Sequence, residues 1–72
     1  MILDESLGIR VNGEHRRVPC GVSIAAMLNR IGIDPAKVAV ERNRDIVPRS
    51  SFGEVRVEDG DDYEIVHFVG GG

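Results

Sequence analysis

The sequence predicts an α+β fold: a mixed sheet of four to five strands curled around one main helix. Three observations predict it. Short runs with the two-residue period of strands recur before and after a single stretch with helical period. That one stretch covers only one face of a sheet, so the sheet must wrap around it. The 72 residues contain one cysteine, Cys20, which excludes an internal disulfide and a multi-cysteine zinc or iron–sulfur site. The chain must therefore stand on secondary structure and a small aliphatic core. A chain of this length forms one domain and buries only about 60% of its unfolded surface.

The elements follow in order. "GIRVNGEHRRVP" reads as a hairpin: Ile9 and Val11 alternate with Arg10, Asn12-Gly13 makes the turn, and His15 to Val18 returns. Pro19 donates to no ladder, so the returning strand ends there or lies on an edge. "VSIAAMLNRIG" is the helix. Ser23 is its N-cap, and Ile24, Leu28 and Ile31 make one apolar stripe flanked by Ala25 and Met27. Arg30 suits the negative end of the helix dipole, Gly32 supplies the left-handed residue after the end, and Asp34-Pro35 prevents continuation. "KVAVERNRDIVP" is a strand, a turn near Asn43 and a short strand ending at Pro48. "RSSFGEV" is a turn or a single helical turn. "EVRVEDGDD" sets Val55 and Val57 on one side and turns around Asp59-Gly60. "DYEIVHF" is the last strand.

Strand, strand, helix, strand, short strand, strand is the order of the β-grasp, or ubiquitin-like, architecture. Other small α+β folds share that order. Residues 1–68 are assigned to the β-grasp domain, with 1–7 loosely held, and 69–72 to a flexible glycine tail.

Charge narrows the function. A net charge of −3 argues against nucleic-acid binding, which draws on clustered Lys and Arg. No stretch approaches the roughly 18 apolar residues of a membrane span. The acidic start, Met1-Ile2-Leu3-Asp4-Glu5, argues against a signal peptide, and the lack of disulfides fits a reducing cytosol, so a cytoplasmic location is expected. Between Glu54 and Glu64, six carboxylates face Arg56 alone. That run is either a solvated, solubilising surface or a patch that steers a basic partner toward the nearby C-terminus.

The chain closes on "EIVHFVGGG". In the last strand Tyr63, Ile65 and His67 share one face, and Glu64, Val66 and Phe68 the other. Tyr63 and Ile65 make the better core pair, which leaves Val66 and Phe68 as an apolar patch on the outer face. The reverse register would make Val66 and Phe68 ordinary core. Val69, Gly70, Gly71 and Gly72 reach about 14 Å when extended. Without Cβ atoms, such a tail enters a channel too narrow for side chains and presents the α-carboxylate of Gly72 inside another protein. A carboxylate is a poor electrophile and must be activated, normally by adenylation with ATP. The sequence has no Walker-type loop or other phosphate-binding fingerprint, so the chain is expected to be the substrate of an activating enzyme, not an enzyme itself.

Several stretches resemble the ThiS family of ubiquitin-like sulfur carriers of thiamine biosynthesis. They are "VNGE" at 11–14, "VAVERNRDIVPRS" at 38–50, "EDGDDYEIVHFVGGG" at 58–72, and the Gly-Gly end itself. The resemblance covers nearly the whole chain from Ile9. It implies that Gly72 is adenylated by a ubiquitin-activating-like adenylyltransferase using ATP and magnesium. A persulfide sulfur then displaces AMP to leave a thiocarboxylate, which thiazole synthase consumes. It implies that Val66, Phe68 and the acidic residues Glu58, Asp59, Asp61 and Asp62 dock the partners while Val69, Gly70 and Gly71 thread the channel. The chain itself binds no cofactor and no metal in this reading. Related carriers, such as the small subunit of molybdopterin synthase or a carrier for cysteine synthesis, share fold and tail, and a ubiquitin-like protein modifier is a further alternative.

Other residues invite a role. Cys20 has no partnered His and reads as structural or incidental. His15 and His67 have no ligand spacing, and His67 reads as a packing residue at the rim of the core. Arg42 and Arg44 read as a solvated turn, with partner contact as the alternative.

Overall fold

The computed structural model describes residues 5–68. Strands β1 (Ser6–Val11), β2 (Glu14–Pro19), β3 (Val38–Arg42), β4 (Asp45–Val47) and β5 (Asp62–His67) surround one helix, α1 (Ile24–Arg30). The sheet has the order β2-β1-β5-β3-β4, with β1 and β5 parallel and the other neighbours antiparallel. This is the expected mixed β-grasp sheet, at the five-strand end of the range.

Local chemistry explains the elements. Both hairpins turn through two residues of positive φ, which match the right-handed twist of the flanking strands. Asn12 (φ 51) and Gly13 (φ 85) join β1 to β2, and Asn43 (φ 50) and Arg44 (φ 74) join β3 to β4. β1 begins at Ser6, so Ser6 and Leu7 belong to the sheet and not to the loosely held lead. β2 is an edge strand ending at Pro19, where the missing N–H costs no ladder bond.

α1 begins at Ser23, whose hydroxyl accepts from Ala26 N–H at 3.1 Å. It ends in a Schellman arrangement around Gly32 (φ 82): Ile33 N–H donates to Leu28 O at 2.9 Å and Gly32 N–H to Asn29 O at 3.1 Å. Ile24, Met27 and Leu28 are completely buried, each worth roughly 1.5–3 kcal/mol. Ile31 is only partly buried, and Met27 takes the central place. Asp34 caps a short 3-10 turn, Pro35–Lys37, that leads into β3. A second such turn, Arg49–Ser51, follows Pro48. Val55 and Val57 face inward as expected, but their segment forms only the isolated bridge Ser23↔Arg56.

The core lies between α1 and the inner face of the sheet. Ile9, Val11, Val18, Val38, Val40, Phe52, Val57, Tyr63 and Ile65 complete it. β5 runs through its middle, and both hairpin asparagines hold that strand. Asn43 Oδ1 accepts from Asp62 N–H at 2.9 Å. Asn12 Oδ1 accepts from Ile65 N–H at 2.8 Å and its Nδ2 donates to Ile65 O at 3.2 Å. The main chain of β1 turns away at Asn12, and the side-chain amide continues the parallel ladder for one more step. No helix among the described residues is long and apolar enough to cross a membrane.

Candidate functional site

β5 carries two different chemistries, one at each end. Tyr63 and Ile65 face the core, 0% and 6% exposed. Val66 and Phe68 face outward, 62% and 56% exposed. The outer register is therefore the one the strand alternation favours. His67 shares parity with Tyr63 and Ile65 yet is exposed, because by that point β5 has lost β1 on one side, although Val38 opposite it on β3 is core. It is not the rim packing residue expected from the sequence.

Two neighbours extend the apolar patch. Ala39 on β3 lies directly opposite Val66 and is exposed. Ile46 on β4, opposite Glu41, is 78% exposed. A shallow hollow of about 190 Å³ between Ile46, Pro48, Arg49 and Phe68 joins them. Ile46 was legible in principle. A two-residue turn at 43–44 pairs Arg42 with Asp45, which puts Ile46 and Glu41 on the outer face.

Phe68 is held on two sides. Its N–H donates to Lys37 O at 3.0 Å, and the guanidinium carbon of Arg49 stands 5.0 Å from the centre of its ring. Past Ile65, only β3 flanks β5, because the last residue β1 pairs with it is Val11, opposite Tyr63.

The other end of β5 is polar and closed. Asp61 is buried and receives four donors: Arg42 Nε at 2.9 Å, Asn43 Nδ2 at 3.2 Å, Glu58 N–H at 2.9 Å and the Tyr63 hydroxyl at 2.8 Å. Burial by itself raises a carboxyl pKa, but these hydrogen bonds outweigh it and hold Asp61 below the usual range. Burial, then the bond to Asp61, pushes the Tyr63 phenol up. Arg42 also bonds Glu58 Oε1 at 3.1 Å. Its own burial works against the charge, yet the carboxylates it bonds keep its pKa raised.

This geometry corrects the acidic-patch reading in two ways. Asp61 is an internal hydrogen-bond acceptor, not a docking residue, because its carboxylate is spent on its own fold. Arg42 is its partner and not part of a solvated turn. Glu58, Asp59 and Asp62 are exposed but stand at the start of β5, whereas Glu64, also exposed, shares the outer face of β5 with Val66. At about 3.3 Å per residue, Asp62 lies roughly 20 Å from Phe68, so Glu58, Asp59 and Asp62 are remote from Phe68 and not beside it. Asp59 also accepts from Gly8 N–H at 2.8 Å, which ties the 58–61 loop to β1.

Cys20 is exposed, and its N–H donates to Glu5 O at 2.8 Å beside the start of β1. β1 runs parallel to β5 with Arg10 opposite Asp62. Counted along the strands, Cys20 lies on the order of 30 Å from Phe68, against about 14 Å of tail. Val69, Gly70, Gly71 and Gly72 lie outside the described residues, as does their expected flexibility.

A family model described as the ThiS family matches residues 9–72, which includes β5 and the glycines beyond it. The chain belongs to the ThiS family. Among solved structures, the thiamine biosynthesis protein ThiS from Geobacter metallireducens superposes with a TM-score of 0.74 at 30% identity, covering 92% of this chain and 100% of that one. The sulfur carrier protein ThiS of Bacillus subtilis is 54% identical over 35 residues, 49% of this chain and 53% of that protein. A thiazole synthase of Paramagnetospirillum magneticum is 52% identical over 62 residues, 86% of this chain. This ThiS-family chain spans 19% of that thiazole synthase, about a fifth of its length.

Proposed function

We propose that the chain is a sulfur carrier of thiamine biosynthesis and that the α-carboxylate of Gly72 is its reactive group. The observation that carries this reading is the exposed pair Val66 and Phe68 on the strand that leads directly into Val69–Gly72, in a chain of the ThiS family. The apolar pair docks a partner, and the glycines enter its active site because nothing on them demands width.

The chemistry runs in three steps. A carboxylate oxygen of Gly72 attacks the α-phosphorus of ATP on a ubiquitin-activating-like adenylyltransferase, with magnesium neutralising the phosphates, and pyrophosphate leaves. The outer sulfur of a protein persulfide attacks the acyl carbon and AMP leaves. A thiol then attacks the inner sulfur of the resulting acyl disulfide and breaks the sulfur–sulfur bond that the persulfide brought, leaving a disulfide on the donor and a thiocarboxylate on Gly72. That group is a softer and better nucleophile than the carboxylate, and thiazole synthase takes its sulfur into the thiazole ring. No side chain of the carrier acts as acid or base. The thiazole synthase of P. magneticum supports this partner, since a stretch similar to this chain lies within that longer polypeptide.

Phe68 and Val66 are the anchors in this reading, with Ile46 and Ala39 beside them. Glu58, Asp59 and Asp62 touch only a partner broad enough to cover the length of β5. The test is an intact mass after incubation with a thiamine-pathway adenylyltransferase, ATP, magnesium and a persulfide donor. The expected result is the mass gain of one oxygen exchanged for sulfur, followed by its loss on adding thiazole synthase and its other substrates. Loading only by a molybdopterin-pathway enzyme contradicts the thiamine assignment.

A further inference from the structure

We propose that Arg49 is a positioning residue: stacked on Phe68, it holds that ring and the main chain of Phe68 in the orientation a partner meets. This rests on the carrier reading and adds a residue to it.

Arg49 is well placed to serve as a fixed point. Pro48 precedes it with φ −59, and the 3-10 turn Arg49–Ser51 follows. Phe52 N–H donates to Arg49 O at 3.1 Å, Ala25 N–H donates to Phe52 O at 2.8 Å, and Phe52 itself is 3% exposed. A continuous set of contacts thus runs from α1 through Phe52 to Arg49 and on to the Phe68 ring, 5.0 Å from the guanidinium carbon.

Phe68 needs this support. Past Ile65 the strand has lost β1, and the hydrogen bond to Lys37 O fixes only the N–H of Phe68. The torsion that aims the next residue lies on the other side of its Cα. Side-chain rotamers and backbone torsions are coupled, so a ring kept under the guanidinium narrows that torsion as well. Restricting it beforehand reduces the ordering cost at binding. Phe68 as a residue remains 56% exposed and open to a partner.

The test uses the full-length carrier, wild type and Arg49→Gln, Phe68→Leu and the double variant, with the adenylyltransferase, ATP and magnesium. Arg49→Gln is expected to raise the KM for the carrier about two- to fivefold, the ratio that corresponds to an exposed cation–π contact, and to leave kcat and Tm unchanged. Arg49→Lys, which keeps the charge and loses the plane, should fall between. Phe68→Leu should raise KM further, and adding Arg49→Gln to it should then have no effect. An unchanged KM in Arg49→Gln overturns the proposal. So does an equal Arg49→Gln effect in the Phe68→Leu background, which would mean that Arg49 touches the partner directly. The Phe68 ring resonances of the free carrier supply a separate readout and should shift in Arg49→Gln. If wild-type carrier is never loaded, the carrier reading fails, while the ring shift still reports whether the Arg49 contact exists.

Discussion

The two ends of β5 are built to opposite rules. At its start, Asp61 gathers four donors in a buried site, and Tyr63 beside it is completely enclosed. At its end, Val66 and Phe68 leave large apolar surfaces in water. A carboxylate inside and a phenylalanine outside reverse the ordinary preferences of these residue types. The comparison teaches that composition locates neither stability nor binding. The acidic residues look like the interaction surface, yet the most deeply engaged of them holds the fold. The apolar residues look like core, yet two of them are free to bind.

Substitutions at the two ends should therefore separate stability from partner affinity. Asp61→Asn should have the larger effect on stability. It leaves the partly buried Arg42 with Glu58 as its remaining counter-charge and replaces one acceptor oxygen with a donor at a buried site, so a loss of about 2–4 kcal/mol is expected in urea unfolding. Loading of the fraction still folded should be normal.

The pH dependence sharpens the same point. The folded pKa of Asp61 is depressed, so its stabilisation is present above the ordinary carboxylate pKa of about 4 and is lost as pH falls through the lower, folded value. Wild type should lose stability below about pH 4, and Asp61→Asn should lose less over that interval. Tyr63 has a raised pKa, so its contribution is present below about pH 10 and is lost as pH rises beyond that. Tyr63→Phe should flatten the alkaline limb of a denaturation series.

Phe68→Ala should do the reverse of Asp61→Asn. Its removal should weaken binding to the adenylyltransferase by more than about 1 kcal/mol, read by calorimetry, with Tm almost unchanged. If Phe68→Ala melts the domain instead, the outward register of β5 is wrong. The smallest expected effect lies in the β3–β4 turn. Arg44 holds φ 74 in the β3–β4 turn, a conformation that favours glycine. Arg44→Gly should be neutral or stabilise by up to about 1 kcal/mol without changing partner affinity.

Much of the fold was legible because its signals are local. Ser23 and Gly32 bracket the helix within a few residues, Asn12-Gly13 specifies a turn by itself, and the alternation through Tyr63 to Phe68 sets the register. The features that escaped depend on residues far apart in the chain. Asn12 reaches Ile65 across 53 residues, and Arg42 reaches Asp61 across 19. Nothing in the neighbourhood of Asp61 distinguishes it from Asp59 or Asp62. Its burial follows from where β3 brings Arg42 and Asn43. The distance from Glu58, Asp59 and Asp62 to Phe68 is also a property of the strand direction. Closeness in sequence suggested a shared patch, and six extended residues carry the two apart.

The central claim is that the main-chain acid of Gly72 reacts while the folded domain only presents it. The most direct measurement is the intact mass of a semisynthetic carrier with Gly72 as its amide, incubated with adenylyltransferase, ATP, magnesium and persulfide donor beside the unmodified protein. The account predicts no sulfur gained by the amide, full loading of the acid, and the same Tm for both. Sulfur appearing on the amide would contradict it.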